Sequence, residues 1–345
     1  MKVFFARSAR GTFQFRSQFS AVLAALILCL TAMAAAAADC AYCGKPISGT
    51  YVEYDGHPYH RDCYLERVAP RCAICGQPLT GDWIVFDGQD YHQQCYERAV
   101  ALRCSYCGGI IEGEYLIDHW GNRYHKYHEG EIPSCSFCGR FLSGPEADDE
   151  RPFDSAHRIC SACRGTAVTD EKLARQKLNE IQTMLARTGL AIETDDIEFE
   201  LVLREELAEL LDHGVTNEFG LTQYKETTFW GSLREREFTI YILSGLPRMH
   251  FISTAAHELM HVWLYLNAPE EEESQLVEGS CNYAAVLVLQ QIDDEMAGYV
   301  IRQIEEESDP TYGDGFRRVK RLVDNRGIEY WLQHLRFDPD FPIGY

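Results

Sequence analysis

The sequence predicts an α+β protein in which an array of four small zinc fingers precedes a mainly helical domain. Three observations predict it. Cysteine and histidine recur in four sets of four between residues 40 and 163. Beyond Cys163 a single cysteine remains and apolar residues fall at helical spacing. One of those helical segments contains His257-Glu258-Leu259-Met260-His261. The 345 residues are 46% hydrophobic and 25% charged, a globular balance that excludes collagen-like, coiled-coil and disordered chains. With 53 acidic against 32 basic residues, the formal charge of −21 repels phosphate backbones and excludes nucleic acid as a main partner.

Residues 1–38 read as a signal peptide. Lys2, Arg7, Arg10 and Arg16 stand without an acid, Ala21 to Leu30 form a short apolar core, and small residues from Ala32 to Ala38 offer a cleavage site after Ala38. This places the mature chain outside the cytoplasm, periplasmic or secreted. The alternative is an uncleaved membrane anchor, since Ser17 to Ala38 is uncharged and just long enough to span.

Residues 39–164 are the finger region, repeating at close to 32 residues. Cysteine pairs stand at Cys40/Cys43, Cys72/Cys75, Cys104/Cys107 and Cys135/Cys138, each followed by a glycine that lets the backbone turn its N–H groups toward the sulfurs. Second pairs close each unit: His60/Cys63, His92/Cys95, His125/His128 and Cys160/Cys163. Four soft ligands in two pairs, 16 to 21 residues apart, suit a closed tetrahedral structural zinc site. An exported chain would ordinarily favour disulfides. That alternative leaves unexplained why histidine fills one slot in three repeats, each time after Tyr59, Tyr91 or Tyr124. His57, His119 and His157 lie outside the pattern, His157 being an alternative ligand in the last finger. Closed sites have no open position for substrate, so the fingers read as structural or docking modules. The pattern resembles LIM domains, in which two such fingers stack into one unit. LIM fingers are usually joined by two residues, whereas eight separate Cys63 from Cys72 and Cys95 from Cys104, and six separate His128 from Cys135. The pairing of the four fingers therefore stays open.

Residues 165–345 form the second domain. Thr169 or Asp170 caps a helix bearing Leu173, Leu178, Ile181, Met184 and Leu185 and ending near Gly189. Strands are expected at Ile197 to Leu203 and Glu237 to Leu243, with a further strand between them, and helices at 249–266, 274–292, 294–306, 313–325 and 327–335. Residues i and i+4 share a helix face, so His257 and His261 can grip one zinc ion while Glu258 presents a carboxylate beside it. Two histidines leave room for a third protein ligand and a water, whose proton Glu258 can take as the water attacks a carbonyl. The bland alternative, a core helix with incidental polar residues, would bury all three groups without a partner at several kcal/mol. Glu278 is the candidate third ligand, because a lone carboxylate leading into the apolar run Cys281 to Leu289 needs a cation. Asn282, one turn later, can orient a ligating histidine. Glu270 to Glu273 are rival carboxylates that read better as a solvated helix start. Cys281 reads as a small buried residue, and Arg317, Arg318, Lys320 and Arg321 as a solvated face. Tyr283, Tyr265, Arg248 and His250 lie near the motif, and none is assigned as oxyanion donor.

The histidine pair with a downstream helical glutamate resembles the gluzincin metallopeptidases. A longer match, through Ile240 to Arg248, Val277-Glu278-Gly279, Ser308 to Phe316 and His334-Leu335-Arg336, resembles the plant LIM-domain peptidases that limit organ size. That resemblance implies a peptidase domain behind LIM fingers that cleaves regulatory proteins, with His257, His261 and Glu278 as metal ligands and Glu258 as catalytic base. The ubiquitin-interacting segments of the plant proteins have no counterpart here, and an exported chain would not meet ubiquitin, so activation does not carry over. The expected protein is an exported zinc metallopeptidase acting on protein or peptide substrates, with one catalytic and four structural zinc ions. Two alternatives stand beside it: an exported LIM-type adaptor with a weakly active or inactive peptidase domain, and an envelope structural protein with oxidised fingers.

Overall fold

The computed structural model describes residues 4–6, 14–16, 38–142, 153–192, 194, 197–211, 218–229, 232–269 and 273–345. The apolar core of the expected signal peptide lies outside the described residues. Within residues 1–37 only the backbone of Phe4–Ala6 and Gln14–Arg16 is described, as short strands antiparallel to Tyr115–Ile117 and Trp83–Phe86. Among the described residues no helix is long and apolar enough to cross a membrane.

Two compact units divide at Met1–Glu129 and Gly130–Tyr345. The sequence reading placed that division at 164/165. It falls earlier because the fourth cysteine cluster packs into the helical half.

In the first unit three repeats share one design. A hairpin follows the first cysteine pair: Val52–Tyr54 with His57–Tyr59, Trp83–Phe86 with Gln89–Tyr91, and Tyr115–Ile117 with Arg123–His125. Asp55-Gly56 and Asp87-Gly88 turn the first two with positive φ at both positions, the type I′ geometry that Asp-Gly favours. A helical turn then carries the second ligand pair. Each repeat packs only a small apolar cluster, such as Leu79, Trp83, Ile84, Tyr91 and Tyr96.

The second unit holds the fourth cluster and the expected α+β domain. Asp170 accepts from the Leu173 N–H at 2.7 Å and starts the helix Glu171–Arg187. Ser232–Leu243 is the centre of a three-stranded sheet, antiparallel to Gly220–Phe229 and parallel to Ile197–Val202. The short helix Arg204–Leu210, which the sequence reading missed, lies between the outer two strands. Helices Arg248–Asn267, Ser274–Leu289, Glu295–Glu305, Gly315–Arg326 and Ile328–Leu335 lie within a few residues of their expected positions.

Arg248–Asn267 is the buried hub of this unit. Phe251, Ala255, Ala256, Leu259, Met260, Val262 and Trp263 are buried in it, against the sheet and against Ser274–Leu289. The latter helix meets the Gly315–Arg326 helix with its backbone. A Cβ added at Gly279 would lie 2.3 Å from the Gly315 carbonyl carbon. This contact fixes the helix turn that bears Glu278. Gly279→Ala is therefore expected to destabilise the unit by about 1–3 kcal/mol through overpacking. Gly298→Ala, on a helix where the added Cβ meets nothing within 4 Å, is expected to gain about 0.4–1 kcal/mol. Chemical denaturation of the two variants checks this, and equal losses would show that the close approach is not the constraint.

Candidate active site

The finger ligands converge as the spacing predicts. Cys40, Cys43, His60 and Cys63 place one ligand atom each within 4.8 Å of one another. Cys72, Cys75, His92 and Cys95 do the same, as do Cys104, Cys107, His125 and His128, and Cys135, Cys138, Cys160 and Cys163. Among the described residues no disulfide joins any of these cysteines. The glycine after each first pair turns with φ between 69° and 72°, and its N–H binds the carbonyl of the first cysteine at 2.8–2.9 Å. Backbone N–H groups also reach the first sulfur of a cluster, His60 to Cys40 at 3.4 Å and His92 to Cys72 at 3.5 Å. Burial opposes ionisation of these two thiols, yet the N–H groups outweigh it and hold both at about 6. Nε2 of His60 and His125 faces the carbonyls of Pro46 and Ile110 at 3.3 and 3.0 Å, which leaves Nδ1 to face the sulfurs. His157 is not a ligand: its Nδ1 binds Asp154 at 2.8 Å. His57 binds the Asp55 carbonyl, and His119 stacks edge-on against Trp120.

In the second unit the helix Arg248–Asn267 brings His257 and His261 onto one face, their Nε2 atoms 3.3 Å apart. Glu278 Oε2 lies 3.1 Å from His257 Nε2 and 3.8 Å from His261 Nε2. Ligand atoms at zinc bond lengths of about 2.0–2.1 Å in a tetrahedron are spaced roughly 3.3 Å apart, so these three fit one ion. Asn282 Oδ1 accepts from His257 Nδ1 at 3.1 Å, aiming Nε2 at Glu278, while Asn282 Nδ2 donates to the Tyr312 carbonyl at 3.3 Å. Cys281, fully buried, also has its sulfur within 4.8 Å of the two histidine nitrogens. Glu278 lines the cleft and Cys281 does not, which favours the carboxylate as the candidate third ligand. Of the rivals Glu270 to Glu273, only Glu273 is among the described residues, and it pairs with Arg318 at 2.9 Å.

Glu258 is only 5% exposed. Burial raises its carboxyl to about 7, with Glu278 and Glu218 adding to the rise against the opposing pull of His257 and a Thr222 hydrogen bond. Thr222 Oγ1 lies 2.8 Å from Glu258 Oε2 and 3.0 Å from the Glu258 carbonyl oxygen. Gly220, two residues earlier on the same strand, is a necessary gap: a Cβ there would stand 2.7 Å from Glu258 Oε1. Burial lowers His261 to about 4, helped by His257. Burial also acts to lower His257, but the Glu278 and Glu258 carboxylates outweigh it and raise the group.

These groups line a cleft of ≈ 880 Å³ with Glu218, Phe219, His250, Tyr265 and Tyr312. Tyr312 is the functional candidate that sequence reasoning missed. Its ring stacks on His257 at 6.4 Å, and burial with the surrounding carboxylates raises its phenol, keeping the proton on oxygen. The one available signal was its place in the Ser308 to Phe316 segment, where Asp309 caps the turn by accepting from the Thr311 and Tyr312 N–H groups. Of the four residues left unassigned, Tyr265 and His250 line the cleft. Arg248 instead pairs with Asp294, and Tyr283 packs on Trp331.

Glu278→Ala is expected to abolish zinc binding at this site and Cys281→Ala to leave it unchanged, while Asn282→Ala weakens it about 10–100-fold. Zinc titration of the variants checks the ranking, and the reverse order for Glu278 and Cys281 would exchange ligand and neighbour.

Comparison with known proteins places the chain among similar sequences. A family model for DA1-like proteins, described as Protein DA1, matches residues 223–292 and 284–338, and a LIM domain model matches residues 40–100. The LIM match spans the first two clusters and so joins them in one LIM domain. Protein DA1-related 1 of Arabidopsis thaliana is 24% identical over 88% of this chain and 61% of its own length. Protein DA1 of the same plant is 24% identical over 88% and 63%. LIM domain-containing protein HDR3 of Oryza sativa subsp. japonica is 23% identical over 65% and 57%. The chain thus spans less than two thirds of the length of these relatives.

Proposed function

We propose that this chain, a LIM-containing relative of the plant DA1 proteins, is a zinc metallopeptidase that hydrolyses peptide bonds. The observation that carries the reading is the convergence of His257, His261 and Glu278 at zinc-ligand spacing beside the buried carboxyl of Glu258, all at the wall of one open cleft. A zinc ion held there would polarise the scissile carbonyl and ease the loss of a proton from the attacking water. Glu258 receives that proton and passes it to the leaving amine, its carboxylate oriented by Thr222. Asn282 keeps His257 in the tautomer that leaves Nε2 free for metal. Tyr312 donates its phenolic proton as a hydrogen bond to the developing oxyanion.

The LIM fingers of the first unit present exposed surface and no open coordination position, so they suit docking of a protein substrate or partner rather than chemistry. In this reading the chain holds five zinc ions, one catalytic and four structural, and is exported on the strength of residues 1–38. The adaptor alternative fits poorly with an intact, positioned Glu258.

Glu258→Gln is expected to retain the zinc at this site and lose hydrolysis of a peptide library by at least about 100-fold, the lower end for a general base. Tyr312→Phe is expected to lower kcat by about 10²–10³-fold with little change in KM. Chelation that removes one ion of five should stop turnover reversibly. Near-normal turnover by clean Glu258→Gln protein would refute the peptidase reading, and metal analysis showing one ion with oxidised fingers would refute the zinc count.

A further inference from the structure

The fourth cluster differs from the other three in ways that bear on the cleft. Its four cysteines are all buried, whereas Cys43, Cys75 and Cys107 are exposed. It lies within Gly130–Tyr345, whereas the other three lie within Met1–Glu129. Its cysteine pair encloses Ser136 and Phe137, and both line the same cleft as His257, Glu258, His261 and Glu278.

The contacts are specific. Phe137, 1% exposed, meets the His250 ring edge-on at 5.1 Å and lies 5.9 Å from Phe219. His250 stands two helix turns before His257 on the same face. At Gly139, a Cβ would collide with the Tyr299 hydroxyl at 2.4 Å. The segment between the two cysteine pairs adds Asp154, which pairs with the buried Arg204 at 3.1 Å. Arg204 in turn donates to the Glu218 carbonyl at 2.5 Å. Glu218, Phe219 and Gly220 run directly into the strand that carries Thr222 and leaves room for Glu258. Beyond Cys163, the Val168 and Arg248 N–H groups bind the Leu246 and Thr166 carbonyls, tying the cluster to the start of the histidine helix.

We propose that the fourth cysteine cluster is a wall of the catalytic cleft rather than a docking finger, its bound zinc holding Ser136 and Phe137 in place beside an apolar subsite. Phe137, Phe219, Val300 and Ile304 give that subsite its character, so it takes an apolar side chain of the peptide near the scissile bond. The donor set fits the metal: four buried thiols converge within 4.8 Å, and Cys135 accepts from the Cys160 N–H at 3.4 Å. The subsite rests on the peptidase reading, whereas the coupling of this cluster to the catalytic metal does not.

Two measurements on the full chain test the proposal. Zinc counting compares Cys160→Ser with Cys95→Ser. Cys95→Ser is expected to remove one ion, and Cys160→Ser to remove two, because loss of the wall releases the catalytic ion as well. Loss of a single ion in both overturns the coupling. Because unfolding of Cys160→Ser would also release both ions, Ser136→Tyr supplies a second arm: Ser136 is exposed on the cleft rim and is not itself a cluster ligand, its Oγ accepting from the Arg158 N–H at 3.0 Å. With all zinc retained, kcat/KM for peptides with Leu or Phe near the cut is expected to fall at least tenfold, mainly through KM, with a smaller effect on peptides carrying Ala there. An unchanged ratio between the two peptide sets overturns the subsite. Absence of hydrolysis in the parent protein would instead defeat the peptidase reading, while the zinc counts would still decide the coupling.

Discussion

The site in the second unit is arranged around one electrostatic constraint: two carboxylates and two imidazoles meet between two largely buried helices. Glu258 and Glu278 both favour the charged form of His257, Glu278 opposes ionisation of Glu258, and burial penalises every ionised form. Like charges so placed cost several kcal/mol unless one carboxylate takes a proton or a cation lies between them. His257 alone cannot supply it, since it is one imidazole facing both Glu258 and Glu278. A divalent ion held at the Nε2, Nε2 and Oε2 corner, as proposed, would resolve the imbalance. The same constraint explains the surroundings. The Gly279 and Gly315 backbones must touch for the Glu278 turn to reach the histidines, and Gly220 must lack a side chain for Glu258 to occupy its place.

Much of this was legible from residue identity, because a helix converts spacing into direction. His257, His261, Glu258, Glu278 and Asn282 all lie on two helices whose periodicity is clear, so placing the helices placed the residues. Thr222 and Tyr312 were not legible for the opposite reason. Thr222 belongs to the stretch Thr-Gln-Tyr-Lys-Glu-Thr-Thr, whose outward face is exposed and whose pairing with Ser232–Leu243 comes only from the hairpin register. Tyr312 sits in a turn, where no period links sequence position to direction. Its position depends on Asp309 capping the turn and on Asn282 holding its carbonyl, both of them long-range or irregular contacts.

The fingers show the same division between local and tertiary information. Ligand identity, the turn glycines and the Asp-Gly hairpins are local, and the structure places them where the repeat predicts. The unit boundary is tertiary. Repeat spacing treats the fourth set as one more member of an array, since its first pair follows at close to the same period, although 21 residues instead of 16 or 17 separate its two pairs. What separates it is the company of Phe137 and Asp154, and nothing in a Cys-x-x-Cys pattern says which large surface an intervening phenylalanine will meet.

Metal and core also divide the stabilising work differently in the two settings. A finger of about thirty residues buries too little apolar surface to fold unaided, and tight metal binding makes up the deficit. In the first three clusters that leaves one thiol of each at the surface, where it can meet oxidants as well as partners. The fourth cluster faces a helical domain that supplies the missing core: Phe137 is enclosed, Asp154 finds Arg204, and all four sulfurs are shielded. Shielding of this kind has a chemical consequence for any compartment that oxidises thiols. Access and thiolate character together set the rate of oxidation, so the exposed clusters depend on early and tight metal capture, whereas the cluster joined to the cleft is protected by the fold it helps to complete.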